Sequence, residues 1–331
     1  VGEFSLIDKY FAARGRARPD VVLGIGDDAA LLRCPPGQLL VVSIDTLVSG
    51  VHFPANTAAA DVGYKALAVN LSDLAAMGAE PAWATLALTL PGEDEAWIAA
   101  FCDGFFELAE STGVALIGGD TTRGPLTVTI QVHGWVPPQQ ALLRSGARPG
   151  DLVYVSGTIG DAGLGLAHAQ GRCNLDPGVA SDCVRRLARP QPRLELGHAL
   201  RGVASAAIDV SDGLSADLGH ILRRSGVGAL LELDSLPWSA AFRANAACAE
   251  GLVVQQVDGV PAAAAFSLCA GDDYELCVAV NPRNQDLLQD IAQRTGCPLT
   301  CIGRIEAQAG LRVRLPGGEV VPFLPRGYVH F

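Results

Sequence analysis

Val114-Ala-Leu-Ile-Gly-Gly-Asp120-Thr-Thr-Arg-Gly-Pro-Leu126-Thr-Val-Thr-Ile-Gln-Val-His-Gly-Trp-Val136 decides how the chain is read. Val114 to Ile117 is a short apolar run that stops at two glycines and an aspartate. Leu126 to Val136 alternates apolar and polar residues over a longer span. Both patterns predict strands. Upstream lie a helical stretch, Glu93 to Thr112, and another strand-like run, Trp83 to Leu90, so the local order is strand, helix, strand. That alternation is the mark of an α/β layer.

Working outward, Leu39 to Ile44 predicts a buried strand that ends directly at Asp45, and Asp61 to Met77 a helix stopped by Gly78. Glu3 to Arg14 reads as an opening amphipathic helix with Phe4, Ile7 and Phe11 at helical spacing. Pro137 and Pro138 form a seam, which predicts one domain over residues 1–137 and a second over 138–331. In the second, strands expected at Leu152 to Val155, Ala206 to Val210, Ala229 to Leu233, Tyr274 to Val280 and Thr300 to Ile305 are interleaved with helices. The helices are expected at 160 to 170, 190 to 201, 212 to 225 and Asn284 to Thr295. Asp161 reads as the N-cap of the first of them. The alanine-rich segment 234 to 265 carries little periodicity. The expectation is a two-domain α/β protein.

The composition narrows the class. A chain of 331 residues, 49% of them hydrophobic, has room for two cores of about 150 residues each. No stretch of about 18 apolar residues is free of charge or proline, which argues against a transmembrane helix. Val1-Gly2-Glu3-Phe4-Ser5 shows neither a basic nor an apolar signal region, so a soluble, cytoplasmic protein with no membrane partner is expected. The net charge of -11 argues against nucleic acid, whose phosphates need a basic face. The nine cysteines contain no CxxC pair and read as reduced thiols. Lys9 and Lys65 are the only lysines, so phosphates would have to be met by metal ions, main-chain amides and a few arginines.

Six aspartate clusters stand on turn-like strings: Gly26-Asp27-Asp28, Ser43-Ile44-Asp45, Asn70-Leu71-Ser72-Asp73, Gly118-Gly119-Asp120, Asp209-Val210-Ser211-Asp212-Gly213 and Gly271-Asp272-Asp273. Carboxylates gathered without a counter-charge repel each other. A hard cation such as Mg2+, which takes oxygen ligands, removes the conflict. Any one cluster also fits a turn or a helix cap. Asp45 and Asp120, each after an apolar run, predict ligands at the carboxyl ends of strands. Asp73 lies within a helix, where it fits either a ligand or a solvent-facing residue. Neither G-x-x-x-x-G-K-[ST] nor G-x-G-x-x-G occurs in full, and the Gly24-to-Ala30 loop makes better sense around a cation than around a phosphate. Taken alone, His52 fits a satisfied loop histidine, and Arg123 fits either a phosphate or an acidic neighbour. His133, His168, His198 and His220 have no ligand spacing.

Read together, Gly24-Ile-Gly-Asp-Asp-Ala-Ala30, Ser43-Ile-Asp45, Val51-His-Phe53, Asn70-Leu-Ser-Asp-Leu-Ala-Ala-Met-Gly78, Ile117-Gly-Gly-Asp-Thr-Thr-Arg-Gly124, Asp209-Val-Ser-Asp-Gly213 and Gly271-Asp-Asp-Tyr-Glu275 resemble the thiamine-monophosphate kinases, in order along the whole chain. The resemblance implies an N-terminal α/β domain that dimerises through its sheet and a C-terminal α/β domain. It also implies ATP held with several Mg2+ ions. The implied reaction is ATP-dependent phosphorylation of thiamine monophosphate to thiamine diphosphate, the last step of that biosynthesis, by direct transfer with no covalent nucleophile. On the matching positions it implies Asp28, Ser43, Asp45, Asp73, Asp120, Asp209 and Asp212 as metal ligands, with Ile44 contributing only its main chain. Gly119, Asp120, Arg144 and Ser211 would contact ATP, and His52, Asp272 and Tyr328 the thiamine phosphate.

Three positions depart from the family pattern. Ile44 replaces a hydroxyl residue, Asp272 replaces a glutamate and shortens the reach by one methylene, and Val329 replaces an aspartate. Another ATP-using synthetase of the same superfamily and a non-catalytic dimeric scaffold are the competing readings. A selenophosphate synthetase is disfavoured because no Cys or Lys stands in the early segment where its reactive residue belongs. A scaffold would have no need of the carboxylate set.

Overall fold

The computed structural model describes residues 6–15, 17–252 and 259–328. The start of the expected opening helix, part of the 234–265 segment and the closing Val329-His330-Phe331 lie outside them. Chain contacts divide the protein into one unit of residues 1–74 and 79–139 and another of 75–78 and 140–331.

In the first unit a π-helical turn (Ile7–Phe11) runs into a 3-10 turn (Ala12–Arg14), in place of a regular α-helix. Strands β1 (Val21–Leu23) and β2 (Leu31–Leu32) then form a small antiparallel ribbon. The main elements follow: β3 (Leu39–Val48), helix α1 (Ala59–Ala76), β4 (Glu80–Leu90), α2 (Glu95–Thr112), β5 (Ala115–Arg123) and β6 (Thr127–Val136). The sheet order is β3-β6-β4-β5. Only β4 and β5 are parallel, as a crossover through α2 requires. Helix α2 begins where Asp94 Oδ1 accepts from Trp97 N at 3.0 Å and ends at Gly113, whose φ of 73° closes the last turn.

Helices α1 and α2 touch backbone to backbone. A side chain at Gly63 would overlap the Phe101 carbonyl, and one at Gly104 the Ala60 carbonyl. Around this crossing Leu67, Leu71, Phe101 and Phe105 are fully buried, each stabilising the fold by about 1.5–3 kcal/mol relative to exposure.

Two strand expectations are corrected. Strand β3 does not end at Asp45: its ladder with β6 runs on through Asp45↔Ile130, Thr46↔Thr129 and Leu47↔Val128. Nor is it buried, because it is an edge strand whose Leu39, Leu40, Val42 and Ile44 are exposed. Strand β5 likewise continues past Ile117, since β4 pairs with it from Thr85↔Gly118 through Leu90↔Arg123. Asp120 is therefore inside a strand.

The second unit contains β7 (Leu152–Ser156), α3 (Asp161–Ala169), α4 (Pro177–Ala188), α5 (Leu194–Ala199), β8 (Ala204–Val210), α6 (Leu214–Ser225) and β9 (Gly228–Glu232). It continues with α7 (Ala240–Ala244), α8 (Ala246–Glu250), α9 (Ala262–Cys269), β10 (Glu275–Val280), α10 (Gln285–Thr295), β11 (Leu299–Glu306), β12 (Gly310–Arg314) and β13 (Val320–Pro322). Its seven strands lie in the order β13-β12-β9-β11-β7-β10-β8, antiparallel except for β12 beside β9. Leu214, Leu218, Ile221 and Leu222 of α6 pack into the core with Val153, Ile208 and Val210. Helix α5 is shorter than the sequence suggests because Pro190 and Pro192 cannot lie inside it. Gly160, not Asp161, holds the N-cap position of α3, and the Asp161 carboxylate instead accepts from the Thr158 and Ser239 hydroxyls.

Candidate functional site

In the second unit three loops distant in sequence are stitched into one surface. Strand β8 delivers Asp209, which is 4% exposed, and ends at Val210; Ser211-Asp212-Gly213 then turns into α6. The Asp272 amide donates to Ser211 O at 2.8 Å, the Tyr274 amide to Val210 O at 2.8 Å, and the Tyr328 amide to Asp212 O at 3.0 Å. The close fit depends on glycine. A Cβ at Gly271 would press on Ser211 O, and one at Gly327 on Asp212 O. Asp209, Ser211, Asp212, Asp272 and Tyr328, all expected from sequence, are thus brought together here.

The 271–275 loop carries strain. Asp272 and Tyr274 have φ of 67° and 49°, in the left-handed region that side chains disfavour. Such a loop persists only if its surroundings hold it. Glu275, 1% exposed, supplies the anchor: Arg193 Nε and Nη2 grip its carboxylate at 2.7 and 2.6 Å, Arg186 Nη2 approaches at 3.2 Å, and Ser156 Oγ donates at 2.5 Å. The neighbouring Asp273 is buried, and its carboxylate accepts from the Gly160 amide at 2.9 Å. Burial raises its pKa well above the ordinary carboxylate value. On α6, burial and then the charge of Asp212 push the Asp217 carboxyl up to about 7, against the pull of three backbone amides. Arg144 is exposed, on a segment joined to β8 by the bond from Ala207 N to Leu143 O at 2.9 Å.

The first unit holds two groupings. A cleft of about 770 Å³ lies along β5, lined by Asp8, Asp27, Asp28, Gly119 and Asp120 among others. Among the described residues its lining has four carboxylates and no basic side chain. The second grouping joins β3 to α1. Ser43 Oγ donates to Asp73 Oδ2 at 2.5 Å, and Asn70 Oδ1 accepts from the Asp45 amide at 3.0 Å. Strand alternation turns Ile44 to the opposite face from Ser43 and Asp45, and its side chain is 58% exposed. His52 Nδ1 accepts from the Val48 amide at 3.0 Å, and the buried Lys65 Nζ donates to His52 O at 3.4 Å. Among the described residues no three His, Cys, Asp or Glu side chains stand close enough together to share a metal ion.

Residues 26–136 match the family "AIR synthase related protein, N-terminal domain", and residues 148–316 the corresponding C-terminal domain. Over 331 residues the chain is 49% identical to the thiamine-monophosphate kinase of Escherichia coli O157:H7, covering 100% of this chain and 98% of that protein. The chain belongs to the thiamine-monophosphate kinase family. The family fold is equally plain: a thiamine-monophosphate kinase structure from Stenotrophomonas maltophilia K279a superposes with a TM-score of 0.84 at 49% identity, covering 97% of this chain and 98% of that one. A structure of AaThiL complexed with AMPPCP and TMP superposes with a TM-score of 0.76 at 29% identity, covering 100% and 97%. Among the described residues no helix is long and apolar enough to cross a membrane.

Sequence reading missed Asp217, Asn70, Glu275 with its two arginines, and Asp8 as participants. A signal existed for Asp217: an aspartate in the first turn after Ser-Asp-Gly is spaced to reach back to the loop amides.

Proposed function

We propose that the chain transfers the terminal phosphoryl group of ATP to thiamine monophosphate, giving thiamine diphosphate and ADP. The observation that carries this is the convergence of Asp209, Ser211, Asp212, Asp272 and Tyr328 on one stitched surface in a chain of this family. AMPPCP, bound with TMP in the AaThiL structure, carries the ATP triphosphate with a methylene bridge.

The acceptor's phosphate monoester has a second pKa near 6, so its oxygen is already ionised at neutral pH and needs no strong base. The obstacle is repulsion. Anions about 4 Å apart oppose each other by several kcal/mol even at an effective dielectric near 20. Several Mg2+ ions, when bound, would supply the charge neutralisation that phosphoryl transfer needs. Asp28, Ser43, Asp45, Asp73, Asp120, Asp209 and Asp212 are the residues to hold them, with Ile44 offering only its main chain. The donor set fits a hard cation: among the described residues the β5 cleft presents carboxylate oxygens and no basic side chain.

In this reading Gly119, Asp120, Arg144 and Ser211 contact ATP. His52, Asp272 and Tyr328 hold thiamine monophosphate, and no side chain forms a covalent intermediate. The exposed apolar row of β3 supports a homodimer through the first unit's sheet, and the protein would act in the cytoplasm. The domain roles follow: residues 1–137 form the metal- and ATP-binding and dimerisation domain, and residues 138–331 the C-terminal α/β domain.

ADP release measured with a panel of phosphorylated acceptors tests the assignment. Release that depends on thiamine monophosphate supports it; release with another acceptor alone would move the chain to a different reaction of the superfamily.

A further inference from the structure

The amides of Ser211, Asp212 and Gly213 all point at one atom. Asp217 Oδ2 accepts from them at 3.0, 3.1 and 3.1 Å. Successive N–H groups turned inward form a concave nest of the kind that binds a phosphate or carboxylate oxygen. Here the protein supplies the acceptor oxygen itself, from a side chain in the first turn of α6 that is 3% exposed. The carbonyls of the same loop face the other way, Ser211 O taking the Asp272 amide and Asp212 O the Tyr328 amide. The loop is therefore held from both sides.

We infer that Asp217 is the positioning residue of this site. Resting on the functional reading above, the role is indirect: Asp217 touches no substrate, but by filling the nest it fixes Ser211 and Asp212. Through their carbonyls it also sets Asp272 and Tyr328. Because the nest is already occupied, a phosphate arriving at this loop meets the Ser211 hydroxyl and not the loop amides. Loosening the loop must also disturb metal and acceptor together. A carboxylate that only stabilised the start of α6 would lower stability without coupling the two ligands.

The test uses the full chain with Asp217→Asn, which keeps an oxygen acceptor but not the charge, and Asp217→Leu, which removes both. Hydrogen exchange of the 211–217 peptide should speed up in both variants, more in Asp217→Leu. The half-saturating Mg2+ concentration and the KM for thiamine monophosphate should rise together, about tenfold in Asp217→Asn and further in Asp217→Leu. A variant with a lower melting temperature but parental exchange in that peptide, parental Mg2+ dependence and parental KM would overturn the proposal. Should Asp217→Leu fail to fold, Asp217→Asn decides alone. Mn2+ titration without substrate separates the two layers of argument. Weaker Mn2+ binding and faster exchange in the variants, beside a parent that never phosphorylates thiamine monophosphate, would keep the clamp and discard the substrate.

Discussion

Ser43 on β3 donates its hydroxyl to Asp73 on α1 across 2.5 Å, tying the edge strand to the helix at the point where both carry candidate metal ligands. The bond holds the Asp73 carboxylate beside β3. Asp73→Asn, Asp45→Asn and Asp120→Asn should each cut turnover by orders of magnitude with the fold intact, because each removes a charged ligand and no core contact. Ser43→Ala should cost less, about tenfold, since it loosens the carboxylate without removing it. Turnover and thermal melts of the purified variants check this. Near-parental turnover in Asp45→Asn or Asp120→Asn would place the metals elsewhere.

Activity should require free Mg2+ beyond what saturates ATP. The candidate oxygen ligands in both units exceed the needs of a single MgATP complex. Titrating Mg2+ at fixed ATP should give a rate still climbing above equimolar metal, and saturation at one equivalent would contradict the assignment.

Tyr328→Ala should raise the KM for thiamine monophosphate more than that for ATP. In the proposed acceptor site its half-exposed ring would stack on a cationic heterocycle, worth about 1 kcal/mol or more, which is roughly fivefold in affinity. Asp272 adds a second arm, because its φ of 67° penalises a side chain. Asp272→Gly should keep or raise the melting temperature while weakening acceptor binding. Asp272→Glu gains reach but should lose stability. Equal losses of ATP and acceptor affinity in Tyr328→Ala would reduce this segment to a structural support.

Asp273 gives a pH signature. Burial raises its folded pKa well above the ordinary carboxylate value, so the protonated form is favoured in the fold. Its contribution to stability is then fully present below the unfolded value and is lost as pH rises through the folded one. Asp273→Asn cannot ionise, and its amide oxygen can still accept from Gly160. The melting temperature of the variant should gain on the parent as pH increases from about 4 toward 9. Parallel curves over that range would mean that the carboxylate is already ionised in the fold.

Ile44 faces away from Ser43 and Asp45, beside exposed Val42 and Leu40 on an edge strand. Placing a charge in that row, as in Ile44→Asp, should convert a homodimer to monomers in sedimentation at micromolar concentration. A parent protein that already sediments as a monomer would refute the interface.

Helices α1 and α2 were legible because their ends carry chemistry that acts locally: Asp94 and Gly113 bound α2, and Gly78 follows α1. The strand positions of Asp45 and Asp120 were not, because where a strand stops depends on how far its neighbour continues to pair. β6 and β4 extend the ladders well beyond the apolar runs. Helix α4 escaped notice because its buried residues, Ala180, Cys183, Leu187 and Ala188, are small or sparse among polar ones. The meeting of Asp212, Asp272 and Tyr328 has no local signature. It is made by backbone hydrogen bonds between distant loops, and only the family resemblance of their motifs anticipated it.

The glycine crossing of α1 and α2 leaves no room for a side chain between the two helix backbones. Gly63 stands ten residues, about 15 Å along the helix axis, from Asp73, and Gly104 lies on a helix that bears no candidate ligand. A methyl group at either glycine has nowhere to go except into a carbonyl, so the helices must part. The far end of α1 would then swing Asp73 and Asn70 away from β3. Screens for lost activity should therefore return Gly63 and Gly104 beside the carboxylates, as sites of damage transmitted over a distance and not of contact with any ligand.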